Sequence, residues 1–204
     1  MDAGRAAAML ISSSLLGAMA CSAATPPCDA CHGTHGEGMT AAHVPRLAGQ
    51  SLEYLQKQLD DYADGTRSDP VMANFLNQLT KAERARLAAR YAAMPAAHRP
   101  APRPDRSAPA DAARLKRGHQ LAFQGDEIKR VAACNGCHGP DGIGVAPAAP
   151  YLAGQSAEYL TVELNAFRQG TRKNDAGQLM RSVAERLDDG DIAAVAAYFA
   201  GVNP

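Results

Sequence analysis

A Cys-x-x-Cys-His motif occurs twice in this 204-residue chain, and no other feature constrains the fold as strongly. Cysteines three residues apart on one helical turn project to the same side, so both thiols can add to the vinyl groups of a single haem. The histidine that follows then presents its imidazole to the iron. The candidate haem-attachment residues are Cys28, Cys31, Cys134 and Cys137, and the candidate iron ligands are His32 and His138.

The segments that follow the two motifs also recur, which indicates a tandem duplication. Leu-Ala-Gly-Gln-Ser from Leu47, Glu-Tyr-Leu from Glu53 and Gly-Thr-Arg from Gly65 each return 105 residues later. Proline is frequent between the two copies, and proline-rich linkers are extended and fairly stiff. The sequence therefore predicts two domains joined by an extended linker. The first domain spans 25–94, the linker 95–110 and the second domain 111–204.

Apolar spacing and capping signals within each copy predict short helices. Ser51 precedes a helix that carries leucines on one face. Thr80 opens another helix through a capping box with Glu83, and Asp188 opens the matching last helix of the second copy. Alternating strand patterns with hairpin turns are absent, so the expected fold class is all-α.

The first 24 residues have the pattern of a signal peptide. Arg5 precedes an apolar run, and the Ala18 to Ala20 segment fits a cleavage site, so we expect cleavage near residues 20–24. No second long apolar run follows, and we expect an exported, periplasmic protein without a membrane span. Cys21, the odd one of five cysteines, leaves two alternatives open: lipidation, with peripheral membrane attachment, or removal with the signal peptide.

A haem iron needs a sixth ligand or leaves a coordination site open for chemistry. A methionine thioether is the ligand that raises the potential of an electron carrier. Met180 is the one methionine after Cys137, and it lies seven residues before Leu187. Met72 lies seven residues before Leu79, which matches Leu187 in the repeat. The repeat therefore predicts Met72 and Met180 as axial ligands.

Other methionines and histidines are weaker candidates. Met39 follows His32 too closely to reach the far side of a haem, and Met94 ends a helix, where we expect it to serve in packing. His35 and His43 have no counterpart in the second copy, and we expect them to face solvent.

Cys-x-x-Cys pairs also occur in redox disulfides and zinc sites. A redox disulfide is typical of a βαβ context, which this sequence lacks, and a zinc ribbon places its two pairs about 15–20 residues apart. Here the pairs are 106 residues apart. Two local disulfides in an exported protein stay open as an alternative.

The order of these elements resembles the class I cytochromes c. A Cys-x-x-Cys-His motif is followed by Pro-x-Leu, a methionine and a C-terminal amphipathic helix. The Leu-Ala-Gly-Gln-Ser, Glu-Tyr-Leu and Gly-Thr-Arg segments are similar to those of the periplasmic dihaem cytochromes of the c4 type. The resemblance covers both copies and implies two tandem class I domains, each wrapped around one covalently attached haem c. In that family a proline carbonyl accepts a hydrogen bond from the proximal histidine, which implies this role for Pro45 and Pro150.

One departure from the family pattern concerns the N-terminal helix. Class I domains normally begin with a helix that packs across the last helix. The second copy has such a segment at residues 112–124, with Gly118 where a close helix approach is useful. The first copy has only a few residues between the expected cleavage site and Cys28. We therefore expect the haem of the first domain to be more exposed, or the first domain to pack against the second domain or against a partner.

Charge and the expected ligand set point to electron transfer. With 21 basic and 21 acidic residues, the chain lacks the basic excess of nucleic-acid-binding proteins. Two six-coordinate irons would bind no small molecule, so we expect a carrier that shuttles electrons between respiratory donor and acceptor complexes. The expected partners are membrane respiratory complexes or a dehydrogenase. Two alternatives are a permanent cytochrome subunit of a dehydrogenase or oxidase, and a haem enzyme or sensor with an open iron site.

Overall fold

The computed structural model describes residues 28–39, 42–96 and 109–203. Within these ranges regular structure is helical, and pairing between extended segments is limited to three isolated β-bridges. The expected all-α fold is therefore confirmed. The helices are α1 (Cys28–His32), α2 (Leu52–Ala63), α3 (Pro70–Leu76), α4 (Lys81–Ala92), α5 (Pro109–Phe123), α6 (Asn135–His138), α7 (Ala157–Arg168), α8 (Leu179–Ala184) and α9 (Asp189–Gly201).

We call the described residues up to 96 the first unit and those from 109 the second unit. Two pairs of recurring helices, α2 with α7 and α4 with α9, begin where the capping signals predict. The Ser51 hydroxyl accepts from the backbone N–H of Tyr54 at the start of α2, and Ser156 does the same at α7. Capping boxes open α4 at Thr80 and α9 at Asp188. These caps satisfy backbone donors that would otherwise lack partners in the first helical turn.

The core of the second unit forms where α5 crosses α9. Gly118 makes this crossing close, because a Cβ atom there would lie 2.2 Å from the carbonyl oxygen of Ala194. The buried residues of the core are Leu121, Ala122, Val131, Leu160, Leu187, Ile192, Val195, Ala196 and Phe199. The helix begins at Pro109, before the expected residue 112, because proline is well tolerated in the first turn of a helix. It thus includes the last two residues of the predicted linker.

The first unit has a smaller core, and its last helix is more polar. Leu55, Ala88 and Tyr91 are its buried centre. Asp29 of α1 accepts hydrogen bonds from the Arg90 guanidinium and the Tyr91 hydroxyl, both at 2.7 Å. By the repeat, Arg90 matches Tyr198 of α9, which lies at the crossing with α5. This ion pair and hydrogen bond tie α4 to α1 directly.

The two units contact each other through side chains of α2, α7 and the loops beside them. Lys57 of α2, for example, donates to the backbone carbonyl of Asn174 at 2.9 Å. The sequence predicted an extended linker and, as one alternative, a first domain that packs against the second. The described residues of the two units are in direct contact. The predicted signal peptide, Cys21, the segment before Cys28 and most of the predicted linker lie outside the described residues. No helix within the described ranges is long and apolar enough to span a membrane.

Candidate haem sites

Helix α1 carries the first motif, and α6 with its preceding residue Cys134 carries the second, so both sites present the same set of groups. In each, the first cysteine is half-buried and the second is exposed. Cys28, Cys31, Cys134 and Cys137 are all free thiols in the structure. The alternative of two local disulfides therefore finds no support among the described residues. Burial raises the pKa of Cys134 to about 11, which keeps this thiol protonated at neutral pH.

The motif histidines are buried and held by proline carbonyls. His32 is 6% exposed and His138 is 7% exposed. The Nδ1 atom of His32 lies 3.0 Å from the carbonyl oxygen of Pro45, and that of His138 lies 3.0 Å from the carbonyl oxygen of Pro150. Because a carbonyl only accepts, Nδ1 carries the proton and Nε2 keeps its lone pair. Burial lowers the pKa of both imidazoles, which favours the neutral form that ligates metals.

A continuous cavity brings the motif residues of each unit together with the predicted methionine. It is lined by the four cysteines, both histidines, Met72 and Met180. Apolar side chains form much of its wall, among them Leu55, Leu59, Leu76, Leu160, Leu164 and Phe167. Each unit thus supplies two thiols, a neutral imidazole, a thioether and an apolar wall. This set of groups fits a covalently attached haem, because thiols, imidazole and thioether are the groups that hold haem c.

The two methionines lie on short helices that the two units build differently. Asp69 accepts from the backbone N–H groups of Val71 and Met72, both at 2.9 Å, and so caps α3. In the second unit, Asp175 accepts from the backbone N–H and the guanidinium of Arg181. The second loop reaches α8 through Gly177 and Gln178, both at φ 61°. Different loops therefore bring both methionines to the cavity.

The weaker candidates lie where the sequence predicts. Met39 is 39% exposed, and Met94 packs against the core of the first unit. His35 and His43 are exposed, although His43 lies at the edge of the cavity.

A buried charged cluster lies between the units and was not predicted from the sequence. Arg67 donates to Glu163 at 2.5 Å and to the Tyr159 hydroxyl at 3.1 Å. Arg172 donates to the other oxygen of Glu163 at 2.6 Å and to Gln58 of the first unit at 3.0 Å. The recurring Gly-Thr-Arg segment supplies both arginines and was the sequence signal for this cluster.

The cluster holds two cations and one anion. Burial alone would raise the pKa of Glu163, but the charges and hydrogen bonds of Arg172 and Arg67 hold it below its ordinary value. Glu163 is therefore ionised at neutral pH. The repeat matches Glu163 to Gln58, so the first unit has no equivalent carboxylate. Burial raises the pKa of Tyr159 to about 12, so its hydroxyl stays neutral.

A second contact between the units, also not predicted from the sequence, involves two glutamines. Gln155 bonds the backbone of Arg46, and Gln50 bonds the backbone of Tyr151. Both glutamines come from the recurring Leu-Ala-Gly-Gln-Ser segment. The residues that they hold directly follow Pro45 and Pro150.

Comparison with known proteins identifies relatives of this chain. The family model described as cytochrome c matches residues 116–203. The chain is 44% identical to a protein of Stutzerimonas stutzeri named thiosulfate dehydrogenase electron acceptor, over 86% of this chain and 79% of that protein. Its fold matches reduced cytochrome c4 from Pseudomonas stutzeri with a TM-score of 0.77 and 34% identity, over 86% of this chain and 93% of that one.

The chain also matches part of a longer solved structure, a thiosulfate dehydrogenase from Marichromatium purpuratum. The TM-score is 0.76 and the identity is 37%, over 86% of this chain and 36% of that chain. The identities and the coverage of these relatives, together with the two Cys-x-x-Cys-His sites, establish the cofactor as two haem c groups. The chain belongs to the dihaem class I cytochromes c, the family that includes cytochrome c4.

Proposed function

We propose that this chain is a periplasmic electron carrier in which His32 with Met72, and His138 with Met180, ligate the two irons. One observation supports it most strongly. In each unit a buried imidazole, whose Nδ1 bonds a proline carbonyl, shares a cavity with a methionine and two free thiols. The recurrence of this set in both units makes an accidental grouping implausible.

The chain's own residues serve four tasks in this proposal. The four cysteines anchor the cofactors covalently and prevent their loss after export. Pro45 and Pro150 fix the tautomer of the histidines, so that Nε2 is free to bind iron. Met72 and Met180 would ligate the irons through their thioethers and so keep small molecules from binding. The apolar wall excludes water and covers each site. When bound, a haem supplies a one-electron couple whose potential depends on axial ligation and burial.

We further propose a thiosulfate dehydrogenase as the electron donor. Two similar proteins support this choice: the relative from Stutzerimonas is named an electron acceptor of that enzyme, and the matching part of the Marichromatium chain belongs to such an enzyme. The chain itself then acts as the acceptor, and oxidation of thiosulfate takes place on the partner. A respiratory complex is the expected next acceptor.

Mixing experiments with a purified thiosulfate dehydrogenase test this proposal. The oxidised dihaem chain is mixed rapidly with the enzyme and thiosulfate, and haem reduction is followed by absorbance. We expect reduction of both haems at a rate that rises with enzyme concentration. The matched control omits the enzyme and keeps thiosulfate. Equal reduction rates with and without the enzyme would overturn the assignment of this donor.

A further inference from the structure

A glutamine side chain of each unit forms two hydrogen bonds with the backbone of the other unit. The Gln155 amide accepts from the backbone N–H of Arg46 at 3.0 Å and donates to the carbonyl of Arg46 at 3.0 Å. The Gln50 amide accepts from the N–H of Tyr151 at 2.9 Å and donates to its carbonyl at 2.8 Å. Gln155 is 3% exposed and Gln50 is 5% exposed, so water does not compete for these bonds.

The glutamines and the histidines bond the same two peptide groups. The peptide between Pro45 and Arg46 accepts from His32 through its carbonyl and donates to Gln155 through its N–H. The peptide between residues 150 and 151 likewise links His138 to Gln50. A peptide whose N–H donates is polarised, and its carbonyl becomes a stronger acceptor. A stronger acceptor for Nδ1–H makes an imidazole a more basic ligand.

We propose that Gln155 is a positioning residue for His32, and that Gln50 is a positioning residue for His138. Each unit thereby tunes the histidine ligand of the other unit. This inference rests on the proposed ligation of iron by the two histidines. A more basic imidazole favours ferric iron, so each glutamine lowers the reduction potential of the haem in the opposite unit.

The crossed pattern separates tuning from a merely structural role. A glutamine that only held the units together would, when removed, disturb both haems alike or the haem of its own unit. A tuning glutamine acts through one peptide and one histidine. Gln155 then affects the first haem, although it lies in the second unit, and Gln50 affects the second haem.

The test compares Gln155→Leu and Gln50→Leu in the dihaem protein, with no partner present. Leucine fills a similar space but makes no hydrogen bond. The midpoint potential of each haem is followed by NMR of the haem methyl groups during a redox titration, with the signals assigned through Met72 and Met180 variants. We expect Gln155→Leu to raise the potential of the first haem most, and Gln50→Leu to raise that of the second haem most.

Two further variants keep this test decisive. Gln155→Glu keeps an acceptor for the Arg46 N–H, so we expect it not to raise the potential of the first haem. Lys57→Ala removes the cross-unit bond to Asn174 without touching either proline peptide, and we expect no crossed shift. Equal shifts at both haems, a larger shift in the variant's own unit or no shift would overturn the inference. Absorption spectra of each variant report the iron ligands independently of the potentials. An error in the proposed ligand set can therefore be told apart from a failure of the glutamine inference.

Discussion

His32 and His138 each use one ring nitrogen for a proline carbonyl, which leaves the other for a metal. These residues could be predicted because the motif is local in sequence, and the repeat then selected Met72 and Met180. The role of the prolines came from the family resemblance. The contact between Arg67 and Glu163 could not be predicted, because the two residues are 96 positions apart and such a contact leaves no local pattern in the sequence.

Removal of either methionine tests the ligand set at the residue scale. In Met72→Ala and Met180→Ala, one iron should lose its sixth ligand and become open to carbon monoxide when reduced. We expect a carbon monoxide difference spectrum that corresponds to one of the two haems in each variant. Met39→Ala is the matched control, because Met39 is exposed and no ligand role is proposed for it. If the carbon monoxide spectrum of a methionine variant matches that of this control, the replaced methionine is not an iron ligand.

At the scale of elements, the two units close their cores in different ways. The second unit packs α5 across α9 at Gly118, as the sequence predicted from the position of this glycine. The first unit ties α4 to α1 through Asp29, Arg90 and Tyr91. Helix starts were predictable, because caps such as Thr80 are local signals. The contact of Asp29 with Arg90 and Tyr91 was not predictable, because these partners are far apart in sequence.

Gly118→Ala tests the close crossing of α5 and α9. The added methyl would overlap the backbone carbonyl of Ala194, so the helices must move apart. Overpacking of this kind costs about 1–3 kcal/mol of unfolding free energy. Gly201→Ala is the control, because a Cβ there meets nothing within 4 Å. Denaturant unfolding of the dihaem protein measures both variants, and equal stability of the two would contradict a tight crossing.

In the whole molecule, the polar residues that join the two units are the feature that could least be predicted from the sequence. The proline-rich segment predicted an extended linker, and the missing N-terminal helix left packing against the second domain as one alternative. The residues that make this contact are seen only in the structure. Buried arginines from both units share Glu163, and glutamines from both units bond the opposite backbone. The recurring segments that align the two copies supply the arginines and the glutamines. The contact therefore combines residues that both copies share with Glu163, which the repeat replaces by Gln58 in the first copy.

Glu163→Gln tests the charged cluster. The substitution leaves two buried guanidinium groups without their counter-ion, so we expect a loss of about 3 kcal/mol of unfolding free energy at pH 7. Because folding lowers the pKa of Glu163, its contribution is complete above the unfolded pKa, about 4.3, and is lost as the pH falls through the lower folded pKa. The difference between the variant and the unmodified protein should therefore shrink in acid.

The control for this prediction is Glu158→Gln. Glu158 lies on the same helix but is exposed, so we expect little change at either pH. Denaturant unfolding at pH 7 and at pH values below about 4 compares the proteins. A constant difference between Glu163→Gln and the unmodified protein at all pH values would contradict a stabilising role for the ionised carboxylate.

The most direct test of the proposed ligation of both irons is the carbon monoxide difference spectrum of the reduced dihaem protein, normalised to haem content. We expect no response, because Met72 and Met180 would keep both irons six-coordinate. A response from either haem would show an open iron site and would contradict the assignment of the chain as an electron carrier with two His/Met-ligated haems.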